Sequence, residues 1–210
     1  MIEIFHNGGP VMYPLLLCSI ITLTIIIERS FFWIGIGMQR NQKLVDEVLN
    51  LARKGEWDMV RQKASGSQNY VIKMIISGIL HREYSLVKAM ESSAVDEINQ
   101  MQKFMDVLDT MITVAPLMGI LGTVMGIITS FDMLNVSGIT NPQAVTGGIA
   151  QALITTAAGL SIAIITVFPY NYFNSRIKRA AGIMEKYATS FEIVYEQILI
   201  HKTDARKEKR

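Results

Sequence analysis

Apolar and polar positions follow two different registers along this chain. Three stretches are almost continuously apolar: residues 11–27, 110–131 and 147–171. Between and after them the apolar residues recur at three- and four-residue steps among charges, the period of a helix with one buried face. The first run holds about 17 uncharged residues before Glu28 and Arg29, near the lower limit for crossing a bilayer. Its helix is expected to continue through residues 30–37, with Phe31, Phe32 and Trp33 forming an aromatic belt at the membrane interface.

The intervening segment reads as a series of packed helices. Leu44, Val45, Val48, Leu49, Leu51 and Ala52 mark one. The GEWD turn follows, with Glu56 and Asp58 suited to the start of the next helix. ASGSQN reads as a loop, and residues 70–79 as a buried helix. Leu86, Met90, Ala94, Ile98, Met101 and Met105 predict an amphipathic helix running on toward the second span. The pattern therefore predicts an all-α membrane protein with long helical extensions. Its segments are an N-terminus over 1–10, a first span over 11–36, a helical region over 37–103 and a second span over 104–131. A short loop over 132–143, a third span over 144–173 and a C-terminal helix with a solvated, frayed tail over 174–210 complete it.

Charge gives this arrangement a direction. Ten Lys or Arg lie between the first and second spans and nine after the third, while residues 1–10 and 132–143 contain none. The positive-inside rule places the N-terminus and the short loop outside and the long middle segment and C-terminus in the cytoplasm. Three crossings agree with opposite ends. The N-terminus lacks the basic n-region of a cleaved signal peptide, so its retention is expected. A net charge of +2 gives no case for nucleic-acid binding. One cysteine, Cys18, excludes a disulfide framework within a single chain, and no zinc-ligand spacing occurs. No nucleophile–base pairing or phosphate loop suggests an enzyme, and no cofactor or metal is expected.

The spans themselves carry the candidate chemistry. In the third, Gly148, Ala152, Thr156, Gly159 and Ala163 form a stripe of small residues, bordered by Gln151 and Thr155. In the second, Ala115, Gly119, Gly122, Gly126 and Ser130 form another, with Thr123 beside it. Small faces let helix backbones approach closely, and Gly119, Gly122, Gly126, Gly148, Ala152 and Gly159 are the expected packing positions. Thr123 and Thr156 are candidates to line an ion path, with Gln151 and Thr155 next, because a hydroxyl can both donate to and accept from water or an ion's shell. The competing role for such threonines is a back-bond to their own helix. Neither the second nor the third span contains Asp, Glu, His, Lys or Arg in its middle; Asp106 and Asp109 lie at the cytoplasmic entrance of the second and Asp132 at its outer end. A proton path normally needs a group that titrates within the membrane. A partner must bring it, or the protein is a scaffold.

At these positions the chain resembles the MotA/TolQ/ExbB proton-channel family, nearest its TolQ/ExbB branch in size. The resemblance rests on Pro116, Leu117, Gly119, Leu121, Gly122, Thr123, Val124 and Gly126, and resumes at Gly148, Ile149, Ala152, Leu153, Thr156, Ala157, Gly159, Leu160, Tyr170 and Asn171. It implies a homopentamer in the bacterial inner membrane, around the single-span helices of a partner like ExbD, TolR or MotB. That partner, expected as a dimer, carries a membrane Asp, and a TonB- or TolA-like protein can join the assembly. Ion flow is coupled to motion of the partner, with Thr123 and Thr156 facing the pore. Many members have Glu where this chain has Gln151, and a proline near Ile165 where this chain has Pro169.

The function expected from residues and resemblance together is a proton-channel stator subunit that energises TonB-dependent transport or a Tol-like envelope process. A non-conducting scaffold that anchors a partner is the alternative, as is a sodium-driven or motility stator of the same family. A solute transporter is disfavoured by three spans without an internal repeat or a broken helix pair.

Overall fold

The computed structural model describes residues 8–38, 42–64, 66–81, 84–137 and 142–207. Among them are seven helices and no strand: α1 (Met12–Met38), α2 (Gln42–Arg53), α3 (Trp57–Ala64), α4 (Tyr70–Leu80), α5 (Leu86–Gln102), α6 (Met105–Ser137) and α7 (Pro142–Lys207). Three stretches are long and apolar enough to cross a membrane: Met12–Gly37 in α1, Leu86–Asp132 through α5 and α6, and Thr146–Gln197 in α7. The chain divides into two compact units.

The first unit contains α1 up to Ser30 and Phe104–Asn174, that is, α6 and the first part of α7. Val11, just before α1, and Leu15, Cys18, Thr22, Ile25 and Arg29 on it are buried at alternating steps of four and three, one seam of a helix. Val11, Met12 and Leu15 pack with Ala115, Met118, Ile154, Ala158 and Ile162 of α6 and α7. Arg29 is the one charged residue in that seam. Its guanidinium holds both carboxylate oxygens of Glu28, at 2.6 Å for the Nη2 bond, and stands 5.7 Å from the centre of the Phe104 ring.

The second unit contains the end of α1 from Phe31, helices α2–α5, and α7 from Ser175. Its core is built from the helical spacing of the sequence: Val45, Val48 and Ala52 on α2, Val60 and Ala64 on α3, and Ile72, Met74 and Ile75 on α4. Asn69 caps α4 by accepting from the Val71 N–H at 2.9 Å. Gly78 gives α5 room, since a Cβ there would meet the Met90 side chain. Trp57 stands edge-on to Phe191 and Tyr195, at 6.3 and 6.1 Å between ring centres.

Several expectations are corrected. The apolar repeat of α5 does not run unbroken into the second span. A turn at Lys103 and Phe104 separates α5 from α6, and Phe104 takes a left-handed φ of 66°. Trp33 is not part of an exposed belt. It continues the buried spacing of α1 one turn past Arg29, is 6% exposed, and lies 5.6 Å from the Arg176 guanidinium. Phe31, by contrast, is open. Residues 132–137, expected in the loop, are the last turns of α6, and α7 opens on Pro142, whose fixed φ suits a first helical position. Residues 201–207, expected to fray, continue α7, as a run with three Lys or Arg and no Gly or Pro can. The expected N-terminal segment over residues 1–7 and the loop over 138–141 lie outside the described residues.

Candidate ion path between α6 and α7

The α6–α7 contact is set by glycine. A Cβ on Gly119 would come to 3.0 Å from the Thr155 carbonyl oxygen and the Thr156 Cα. One on Gly126 would lie 2.9 Å from the Gly148 carbonyl oxygen and 3.0 Å from the Ala152 Cβ. From the other side, a Cβ on Gly159 would meet the Ala115 carbonyl and stand 3.1 Å from the Gly119 Cα. The obstructing atoms are largely backbone and cannot swing away. This close approach brings main-chain carbonyls of one helix within reach of side chains on the other.

Thr123 and Thr156 use that proximity. Their hydroxyls hydrogen-bond to each other across the seam. Thr123 Oγ1 also lies 3.2 Å from the carbonyl oxygens of Gly119, on its own helix, and Ala152, on the facing one. Thr156 Oγ1 lies 3.1 Å from the Gly119 carbonyl. Each hydroxyl has one proton to donate. Two arrangements therefore satisfy the pair: Thr123 donates to Thr156 while Thr156 donates to Gly119, or Thr156 donates to Thr123 while Thr123 donates to a carbonyl. Interchange moves two hydroxyl protons and leaves every heavy atom in place. Both side chains are half-buried, so each keeps some open surface. Thr123 also borders a cleft of about 260 Å³ whose other walls include Ile127, Phe131, Ile149 and Leu153.

The remaining candidates are placed differently. Thr155 is 1% exposed, packs against Gly122, and bonds to the Ala152 carbonyl at 2.8 Å. Its hydroxyl is a helix back-bond enclosed in the seam, so within one chain it borders no open path. Gln151 is half-buried, and its amide lies against Gly9, whose φ of +68° and missing Cβ make room for it. It meets the start of α1 there. Gly148 faces Ser130, a buried hydroxyl that donates to the Gly126 carbonyl at 2.9 Å.

Two polar features were not singled out from the sequence as site residues. Arg29 sits in the buried seam of α1; its spacing from Ile25 and Thr22 marks it. Tyr170 of α7 lies close enough to Asp109 of α6 for the two to interact. Nothing in the sequence pairs these two residues, because they are far apart along the chain. No group of His, Cys, Asp and Glu among the described residues could hold a metal.

Residues 66–186 match the model of the MotA/TolQ/ExbB proton channel family. The chain belongs to that family. It is 34% identical over 197 residues to an ExbB-like protein of Synechocystis sp. (ExbB-like 3), covering 90% of this chain and 92% of that one. It is 34% identical over 110 residues to the biopolymer transport protein ExbB of Xanthomonas campestris, covering 52% and 42% of the two chains. Over 119 residues it is 32% identical to the Tol-Pal system protein TolQ of Pseudomonas aeruginosa, covering 57% and 51%. The Thr123–Thr156 seam lies inside the family-matched segment. With three stretches able to span a bilayer, the chain is an ExbB/TolQ-type membrane subunit coupled to the proton-motive force.

Proposed function

We propose that this chain is the channel-forming subunit of an inner-membrane motor. Five copies surround the single-span helices of an ExbD- or TolR-like partner dimer and couple proton flow to its motion. The motion is delivered through a TonB- or TolA-like protein to outer-membrane transport or envelope maintenance. The observation that carries this reading is the Thr123–Thr156 pair: two hydroxyls that can exchange protons, in spans whose middle holds no Asp, Glu, His, Lys or Arg. Such a pair can pass a proton along or solvate one, but cannot store one near neutral pH. The storing group is then the carboxylate of a partner Asp. The apolar cleft beside Thr123 suits an apolar partner helix, which would bring that carboxylate to the hydroxyls. In this reading Gln151 holds α1 against α7 rather than carrying protons. The N-terminus faces the periplasm and the C-terminus the cytoplasm.

The test is Thr123→Val with Thr156→Val, a pair of near-isosteric changes that remove both hydroxyls. Co-reconstituted with the partner in proteoliposomes carrying a pH-sensitive dye, the variant is expected to lose proton flux by about tenfold or more. Assembly should remain intact, because each lost side-chain bond contributes only about 1 kcal/mol. Unchanged flux in a correctly assembled complex would sink the threonine path.

A specific observation favours a second reading. Both hydroxyls reach helix carbonyls, so their role can be to fasten α6 to α7 in a non-conducting scaffold. That reading predicts full function after the partner's carboxylate is changed to its amide.

A further inference from the structure

Beyond the ion path, the structure contains a pocket of mixed polarity outside the α6–α7 seam. It has a volume of about 280 Å³ and is lined by Phe31 and Gly35 on α1, Gln68 before α4, Lys73 on α4, and Glu97 and Gln100 on α5. Lys73 Nζ and a Glu97 carboxylate oxygen are 3.1 Å apart, with Lys73 the more open of the two. A Cβ on Gly35 would meet nothing within 4 Å, so the α1 wall is recessed there. The pocket presents a positive group, a negative group and two amides beside the rings of Phe31, Phe32 and Tyr70.

The length of α1 locates it. The apolar stretch Met12–Gly37 has 26 residues. At 1.5 Å per residue it is about 39 Å long, against about 30 Å of hydrocarbon in a bilayer. A helix entering the hydrocarbon at Met12 leaves it about twenty residues later, near Phe31. Phe31 and Gly35 then lie at headgroup depth on the inner side. Phe31, at that boundary, is exposed.

We infer that this pocket binds the headgroup of an inner-leaflet phospholipid that carries both a phosphate and a primary ammonium, with its acyl chains leaving past the Phe31 ring into the hydrocarbon. Lys73 takes the phosphate, and Glu97 takes the ammonium. Gln68 and Gln100 donate to the remaining phosphate and ester oxygens. Charge order selects this lipid. A purely anionic headgroup meets Glu97 without a compensating cation. A trimethylammonium headgroup offers Glu97 no N–H and needs more room. The volume is slightly below the range usual for drug-sized ligands, which fits a headgroup whose tails stay outside. This inference rests on α1 being a membrane span with its N-terminus outside, as in the proposed function, and not on proton conduction.

The test uses the full chain in nanodiscs doped with photoactivatable phospholipids. These carry a diazirine high on the acyl chain and one of three headgroups: ethanolamine, choline or glycerol. Labelled peptides are read by mass spectrometry. Peptides covering residues 31–36 and 68–73 should be labelled about tenfold more by the ethanolamine lipid than by the other two, the discrimination expected from one charge-assisted hydrogen bond. Gly35→Trp, which fills the recess, should abolish the preference while labelling of α6 is unchanged. Should Gly35→Trp fail to fold, Lys73→Glu with Glu97→Lys keeps an ion pair but reverses its order, and should lose the preference equally. Equal labelling by all three lipids overturns the inference. So does absence of labelling at these peptides, the result if a second copy of the chain covers the pocket.

Discussion

Thr155 and Thr156 are neighbours in sequence but have different roles in the seam. On a helix their side chains diverge by about 100°. Thr155 packs against Gly122, whereas Thr156 meets Thr123 and the Gly119 carbonyl. The small faces of both spans are legible in the sequence, because glycine at these steps has few uses in a membrane helix besides close approach. Which threonine lies inside the contact is not legible, since it depends on how α7 is rotated against α6. The same reasoning separates glycines that look alike in the sequence. Gly159→Ala pushes a methyl against backbone of α6 and should destabilise the helix pair by about 1–3 kcal/mol. Gly182→Ala, in the same helix, meets nothing within 4 Å and should raise stability by up to about 1 kcal/mol through helix propensity. Denaturant unfolding in detergent micelles, followed by circular dichroism, measures both. Equal effects would mean that the α6–α7 contact is not set by glycine.

At the scale of elements, the apolar period identifies the helices better than it identifies their ends. Leu86 to Met105 keeps a continuous helical period, yet the chain turns at Lys103 and Phe104. A bulky residue at φ 66° costs on the order of 1 kcal/mol or more, and no local sequence signal announces it. The compensation comes from far along the chain, where the Arg29 guanidinium lies over the Phe104 ring. The ASGSQN loop and the GEWD turn are easier to read, because they hold local signals: Asn69 caps α4 and Gly55 takes a left-handed φ. Arg29 itself is 2% exposed, and Glu28 holds it with two bonds. Glu28→Ala removes that carboxylate from a buried cation. It should destabilise the fold by about 1–3 kcal/mol, below the range for fully buried pairs because Glu28 is itself half in solvent. Adding Arg29→Met should recover most of the loss, since a long apolar side chain fits the seam without a charge to satisfy. Thermal unfolding of the two variants is the measurement; a double variant less stable than the single one would show that Arg29 contributes through more than Glu28 and its burial.

For the whole molecule, the decisive pattern is one that no contact records. Nineteen of the 20 Lys and Arg lie either between the first two spans or after the third, and none lies in residues 1–10 or 132–143. The proposed orientation follows from this asymmetry through cytoplasmic retention of basic segments: N-terminus outside, both basic segments inside. The proposed motor requires that arrangement, because the Thr123–Thr156 seam must lie across the membrane with Asp109 and Tyr170 on its inner side. The chain offers a clean way to test it. Its single cysteine, Cys18, is buried in the α1 seam, and Cys18→Ala leaves no thiol. In that background, Ser137→Cys, at the end of α6, should react in intact cells from which the outer membrane has been removed, using a membrane-impermeant maleimide. Ser190→Cys, on the part of α7 beyond the third span, should react only after the inner membrane is opened. A charge-based topology predicts a difference of about tenfold or more between the two before permeabilisation, because each Lys or Arg at a span end adds to the barrier against translocation. Reaction at Ser190→Cys in sealed spheroplasts would invert the molecule, place Asp109 and Tyr170 on the periplasmic side, and reverse the direction in which a partner carboxylate could be loaded.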